Sequence, residues 1–115
     1  IHHMWIFTET GFVSVVRKTD LPDVYTVRSR DSLSLEPLAA FAKTEIIETP
    51  YGDYQYRIFV EPAVFTEWLA EQASDIQYDN FKNRVYKTRG KKFVEALHEV
   101  WVAMLAVTKI QHDNR

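Results

Sequence analysis

The chain has 115 residues, of which 46% are hydrophobic and 26% charged, and this length excludes a second hydrophobic core of comparable size. The absence of cysteine excludes disulfide frameworks, thiolate zinc sites and cysteine nucleophiles, and it fits a reducing compartment. The formal net charge of −2 hides an uneven distribution, because residues 82–92 carry six basic side chains and no acidic one, which leaves the rest of the chain at −8.

Three segments are expected along the chain. Residues 1–3 are interpreted as the remnant of an affinity tag, residues 4–110 as one domain and residues 111–115 as a polar tail. The apolar stretch after Met4 is interrupted at residues 8–11 and has no basic flank, so it is not typical of a signal peptide or a membrane span. We therefore expect a cytoplasmic protein that does not enter a membrane.

In chain order, runs of β-branched and aromatic residues come first. Two runs separated by residues 9–11 predict a β-hairpin, and two later runs separated by the turn residues 50–53 predict a second one. Alternation in the third strand places Thr26, Arg28 and Arg30 on one face. The predicted strands are residues 5–8, 12–17, 24–30, 45–48 and 54–60.

Helical spacing of apolar residues predicts the remaining elements. Residues 34–43 predict a short helix, and Pro62 opens a second helix whose Trp68 faces the core. A short helical piece is expected around residues 80–82, with a break at Gly90. The final helix is predicted to lie across the core through Phe93, Leu97, Val100, Trp101, Met104 and Thr108.

The mixture of strand runs and helices, without strict β-α alternation, predicts a mainly antiparallel sheet. The expected fold class is α+β: a two-layer sandwich of about five strands with helices on one face, ferredoxin-like in spirit. The strand order does not follow from the sequence.

Several short motifs carry a resemblance. They are MWIFT at 4–8, GFVSVV at 11–16, ETP at 48–50, DYQYR at 53–57 and YDNFK at 78–82. With them the chain resembles a family of small uncharacterised proteins of actinobacteria and their phages, from Met4 to about Trp101. The resemblance implies an intracellular protein that phages also encode, and it implies no activity, substrate or catalytic residue.

Motifs of catalysis are mostly absent from the sequence. The three glycines are too scattered for a P-loop or a dinucleotide fingerprint, and no G-x-S-x-G elbow is present. His98 and His112 do not form a metal-ligand pattern, and His98 is interpreted as a partly exposed helix residue near Glu95. We expect no metal ion, no cofactor and no catalytic residue, and the sequence favours a non-enzymatic protein.

The basic segment, residues 82–92, is the main candidate binding site. Its cations can pair with phosphates, and the aromatic residues Phe81, Tyr86 and Phe93 can stack on bases. An acidic protein surface or a solvated connector explains the same pattern, and the slightly negative total charge weakens long-range attraction to nucleic acid. The candidate residues are Lys82, Arg84, Tyr86, Lys87, Arg89, Lys91 and Lys92.

A second candidate is a basic sheet face that can hold a phosphate or a carboxylate. Its residues, grouped by alternation, are Arg28, Arg30, Gln55, Arg57 and Phe59. The alternative is that these arginines form cross-strand ion pairs with Glu45, Glu48 or Asp53. An enzyme that uses this face, with His98 as acid or base, would need a pocket that joins His98 to the arginines.

The third candidate is a tyrosine-rich protein interface, for which ordinary packing is the alternative. Its residues are Tyr54, Tyr56, Arg57, Tyr78, Asn80 and Phe81. The leading hypothesis is a non-enzymatic macromolecule-binding module, a phage-encoded modulator of a host protein. The alternatives are a nucleic-acid-binding protein that uses residues 82–92 and a small enzyme that acts on a phosphorylated small molecule. The expected partner is a protein, with nucleic acid and self-association left open.

Overall fold

The computed structural model describes residues 3–77 and 80–113. Contacts between Cα atoms divide the chain into two compact units, Ile1–Tyr78 and Asp79–Arg115. We refer to the first as the sheet unit and to the second as the helical unit. The prediction of a single domain stays a prediction.

Within residues 3–77, the sheet unit contains five strands and two helices. The strands form one antiparallel sheet in the order β1-β2-β3-β5-β4. The elements are β1 (His3–Thr8), β2 (Gly11–Val16), β3 (Tyr25–Ser29), α1 (Glu36–Ala42), β4 (Ile47–Glu48), β5 (Tyr56–Val60) and α2 (Pro62–Ser74). The predicted α+β class, the five antiparallel strands and both hairpins are confirmed. The connectivity differs from the β-α-β-β-α-β order of ferredoxin-like folds, because three strands precede the first helix.

One face of the sheet is covered by α1 and α2. Strand alternation turns Val13 and Val15 of β2, Val27 of β3 and Ile58 of β5 to this face, where all four are buried. Burial of each such side chain contributes about 1.5–3 kcal/mol. The core cluster also contains Leu35, Leu38, Ala39, Val60, Phe65 and Trp68. The predicted core position of Trp68 is confirmed by its 4% exposure.

The helical unit contains α3 (Phe81–Arg89) and α4 (Lys91–Asp113), which contact each other. The side chain of Asn80 caps α3 by accepting hydrogen bonds from the backbone amides of Lys82 at 2.9 Å and Asn83 at 3.4 Å. Gly90, with φ of 87°, separates the two helices and confirms the predicted break.

The predicted burial of the final helix is wrong. Trp101 is 55% exposed and Met104 is 59% exposed. The lengths of the two helices supply the physical reason: α3 has 9 residues and α4 has 23, so α3 spans less than half of α4 at about 1.5 Å per residue. The second half of α4 therefore has no helix of its own unit to pack against.

Candidate interaction surfaces

A continuous run of exposed apolar residues lies on α4. Every residue from Val100 to Val107 is apolar, and every one of them is exposed. We call this stretch the apolar segment. A helix that is apolar on all sides is typical of a buried environment, whereas a helix on the surface of a monomer keeps a polar face. The apolar segment therefore differs from an ordinary surface helix, because none of its eight residues is polar.

A cluster of polar and aromatic groups adjoins the start of the apolar segment. Lys82 Nζ lies 3.1 Å from His98 Nδ1 and 5.4 Å from the ring centroid of Trp101. The His98 ring stacks on Trp101 with the centroids 5.8 Å apart and the planes at 16°. Lys82 is thus held within the helical unit by a hydrogen bond and a cation–π contact.

The basic segment is only partly available to a ligand. Arg89 lies over the Phe93 ring at 4.1 Å, so this cation, like Lys82, contacts an aromatic ring of its own unit. Phe81 and Tyr86 are exposed on α3, and Asn80 serves as the helix cap. The exposed basic residues are Arg84, Lys87, Lys91 and Lys92. Tyr78 lies outside the described residues.

A row of side chains crosses the sheet on the face opposite α1 and α2. Strand register pairs Ser14 with Trp5 on one side and with Arg28 on the other. Arg28 in turn pairs with Arg57, and Arg57 pairs with Ile47. Residues paired in this way point to the same face of a sheet. We call Trp5, Ser14, Arg28, Arg57 and Ile47 the arginine row.

The two arginines of the row are half-buried and make few hydrogen bonds. Arg28 Nη2 donates to Ser14 Oγ at 2.9 Å, and Arg57 Nη2 donates to the carbonyl oxygen of Tyr54 at 3.4 Å. The Nε atoms of Arg28 and Arg57 and the Oγ1 atom of Thr26 are buried without a hydrogen-bond partner among the described residues. Thr26 lies on the same face as Arg28, two residues earlier in β3.

The third predicted arginine is not a member of the arginine row, because it lies after the end of β3. Arg30 follows the last residue of β3 and donates to the carbonyl oxygen of Asp53 at 3.2 Å. The Tyr54 ring receives both Arg28, at 4.6 Å, and Arg30, at 5.1 Å, as cation–π partners. The hydrogen bonds that the structure describes for the three arginines go to a hydroxyl and to backbone carbonyls, and the predicted ion pairs with Glu45, Glu48 or Asp53 are not among them.

The predicted tyrosine-rich surface is largely internal. Tyr54 is 9% exposed, and Tyr56 packs against the hydrophobic core from its position on β5. Arg57 directly follows Tyr56 in β5 and therefore lies on the opposite face of the sheet. Packing therefore accounts for the two tyrosines that the structure describes in this set.

An exposed aromatic patch on the first hairpin was not predicted. Trp5 is 68% exposed, and Phe7 also reaches the surface. Phe12 contacts both rings: its centroid is 5.8 Å from that of Trp5 in an edge-on arrangement and 4.6 Å from that of Phe7 in a stacked one. The sequence contained a signal for this patch. Trp5 and Phe7 alternate along one predicted strand, and a short turn separates that strand from the one that begins with Phe12.

Two kinds of site are absent from the described part of the chain. No group of three or more His, Asp or Glu side chains is arranged to hold a metal ion. Among the helices searched, none combines the length and the apolar character needed to cross a membrane. His98 belongs to the helical unit and the arginine row to the sheet unit, so the predicted enzyme stays a prediction.

Comparison with known proteins adds no relative. No protein-family model matches the chain, and no curated protein or solved structure matches it either.

Proposed function

We propose that the chain is a non-enzymatic protein-binding module whose contact element is the apolar segment of α4. The observation that carries the proposal is the continuous exposure of apolar side chains from Val100 to Val107. Exposed apolar patches of this kind are typical of protein–protein interaction sites. The segment also contains Trp101 and Met104, residue types that are enriched at interfaces.

The arrangement supports insertion of a helix into a groove. In that mode of recognition, residues at three- and four-residue steps on one helix fill pockets in an apolar groove of the partner. On α4 these steps join Val100, Met104 and Val107 on one side and Trp101 and Leu105 on another. Burial of each such side chain contributes about 1.5–3 kcal/mol before the entropy of association is subtracted.

The charges that precede the apolar segment in the helical unit indicate the character of the partner. The exposed cations Lys87, Lys91 and Lys92 lie at the end of α3 and the start of α4. Oppositely charged groups at the rim of an interface accelerate association and fix its register. The proposed partner is therefore a protein with an apolar groove that has carboxylates at one end. The proposal includes the interpretation drawn from the sequence resemblance, that the chain is phage-encoded and that this partner is a host protein.

The test compares two variants with the same change of charge. Met104→Glu places a carboxylate in the apolar segment, and Asn83→Glu places one at an exposed position of α3. Both variants and the wild type are immobilised and exposed to host lysate at low and at high salt. The captured protein is then purified, and its affinity for each form is measured by isothermal titration calorimetry.

We expect a partner that stays bound at high salt, binds Asn83→Glu like the wild type and binds Met104→Glu at least tenfold more weakly. Equal affinity for Met104→Glu and Asn83→Glu would overturn the assignment of α4. Capture of nucleic acid that is lost at high salt and after Lys87, Lys91 and Lys92 are changed to Gln would replace it with the nucleic-acid alternative. Sedimentation equilibrium of the wild type and Met104→Glu shows whether a second copy of the chain occupies the segment instead.

A further inference from the structure

The facing position of Arg28 and Arg57 is unusual for a sheet. Like charges directly opposite each other on neighbouring strands destabilise the pairing. Both guanidinium groups have lost water from Nε, and no hydrogen bond replaces it within the described residues. An oxyanion bound between the two guanidinium groups would remove the repulsion and accept hydrogen bonds from their Nη groups, since a guanidinium carries five N–H groups in a geometry that matches phosphate and carboxylate.

The arginine row also contains an aromatic residue that is suited to bind another part of a ligand carrying an oxyanion. Trp5 lies on the same row, two strands from Arg28, and its ring is the most exposed aromatic group of the first hairpin. Phe12 contacts the Trp5 ring and so restricts its orientation. Exposed aromatic rings on a sheet are platforms on which nucleic-acid bases stack.

We infer that the face of the sheet opposite α1 and α2 binds a nucleotide unit, with Arg28 and Arg57 on the phosphate and Trp5 under the base. Neighbouring strands lie about 4.8 Å apart, so the backbone positions of Trp5 and Arg28 are separated by roughly 10 Å. That separation leaves room for a sugar between a stacked base and a bound phosphate. Ser14 lies between Trp5 and Arg28 in the arginine row, and its hydroxyl accepts a hydrogen bond from Arg28 that holds the guanidinium group in place.

The same chemistry occurs in a free nucleotide and in a single-stranded nucleic acid. Neither source uses the apolar segment of α4, so this inference is independent of the proposed protein partner. It also differs from the predicted nucleic-acid site at residues 82–92, because Trp5, Arg28 and Arg57 belong to the sheet unit.

Fluorescence anisotropy of a labelled short oligodeoxythymidylate, titrated with the full chain over a range of salt concentrations, tests the inference. The site variants are Trp5→Ala and the double change Arg28→Gln, Arg57→Gln. The matched control removes two exposed charges from the basic segment, by Lys87→Gln and Lys91→Gln. Circular dichroism checks that each variant is folded. Trp5→Ala keeps the test decisive if the arginine variant fails to fold, since Trp5 is exposed and lies on an edge strand.

We expect the double arginine variant to bind at least tenfold more weakly and to reduce the slope of log K against log salt by about 1.4, which corresponds to two phosphate contacts on a single strand. Trp5→Ala should weaken binding roughly fivefold or more. Displacement of the oligonucleotide by thymidine monophosphate supports the site and assigns it to free nucleotides, whereas retention supports the site and assigns it to single strands. No binding by the wild type, or a loss confined to the control variant, would overturn the inference.

Discussion

Gly11, the first residue of β2, lies directly against Ser34, so that a Cβ atom on Gly11 would overlap the Ser34 hydroxyl and come within 2.8 Å of its Cα. The φ of Gly11 is 154°, which L side chains rarely adopt. We expect Gly11→Ala to lower the free energy of unfolding by roughly 1–3 kcal/mol, because the overlap displaces Ser34 from the Phe12 amide that donates to it at 3.2 Å. Urea denaturation followed by circular dichroism measures the change.

Gly52→Ala is the matched control for this prediction. Gly52 also has a positive φ, 136°, but apart from its two chain neighbours no described residue lies within 4 Å of the position its Cβ would take. The difference between the two variants therefore reports the contact with Ser34 and not the backbone conformation alone. Equal losses of stability would show that Ser34 moves aside without cost.

The two tryptophans Trp68 and Trp101 should respond differently to truncation. Trp68 is buried in the core of the sheet unit, and Trp68→Ala should cost about 3–5 kcal/mol of unfolding free energy. Trp101 is exposed. The contacts described for its ring are with the side chains of Lys82 and His98. Trp101→Ala should cost less than about 1 kcal/mol. A loss at Trp101 as large as at Trp68 would mean that Trp101 is packed in solution.

The difference between these tryptophans shows where sequence reasoning stops. Both lie on helices with apolar residues at three- and four-residue steps, and this spacing predicted burial for both. In α4, however, Val102, Ala103 and Ala106 between the steps are apolar too, so the pattern does not select a face. Periodicity also does not reveal that α3 is too short to cover α4.

For the sheet, alternation and turn residues predicted the strands, the hairpins and the shared face of Thr26 with Arg28 and of Arg57 with Phe59. They did not predict the strand order, because alternation within a strand carries no information about its neighbour. The pairing of Arg28 with Arg57 depends on β5 lying beside β3, although β4 precedes β5 in the chain. The sequence therefore predicted that Arg28 and Arg57 belong to a basic sheet face, but it did not predict that they face each other on neighbouring strands.

The cap of α3 offers a local test of the helical unit. Asn80→Ala removes the acceptor for the amides of Lys82 and Asn83, and we expect it to destabilise α3 by about 0.5–2 kcal/mol. Hydrogen exchange of the α3 amides measures the loss. Asn83→Ala, at an exposed position within the helix, is the control and should leave the exchange rates nearly unchanged or slower. Unchanged protection in Asn80→Ala would show that water satisfies these amides equally well.

Arg57→Gln should stabilise the protein at low ionic strength in a buffer without phosphate. The change removes one of two like charges that face each other on β3 and β5, and we expect a gain of about 0.2–1 kcal/mol in the free energy of unfolding. Sodium chloride screens the repulsion, so the gain should shrink as its concentration rises. Arg17→Gln, at an exposed position after β2, is the control and should show no such gain. If Arg57→Gln instead lowers stability equally at all salt concentrations, Arg57 is held by packing of its aliphatic stem, and the repulsion between the guanidinium groups is negligible without a bound oxyanion.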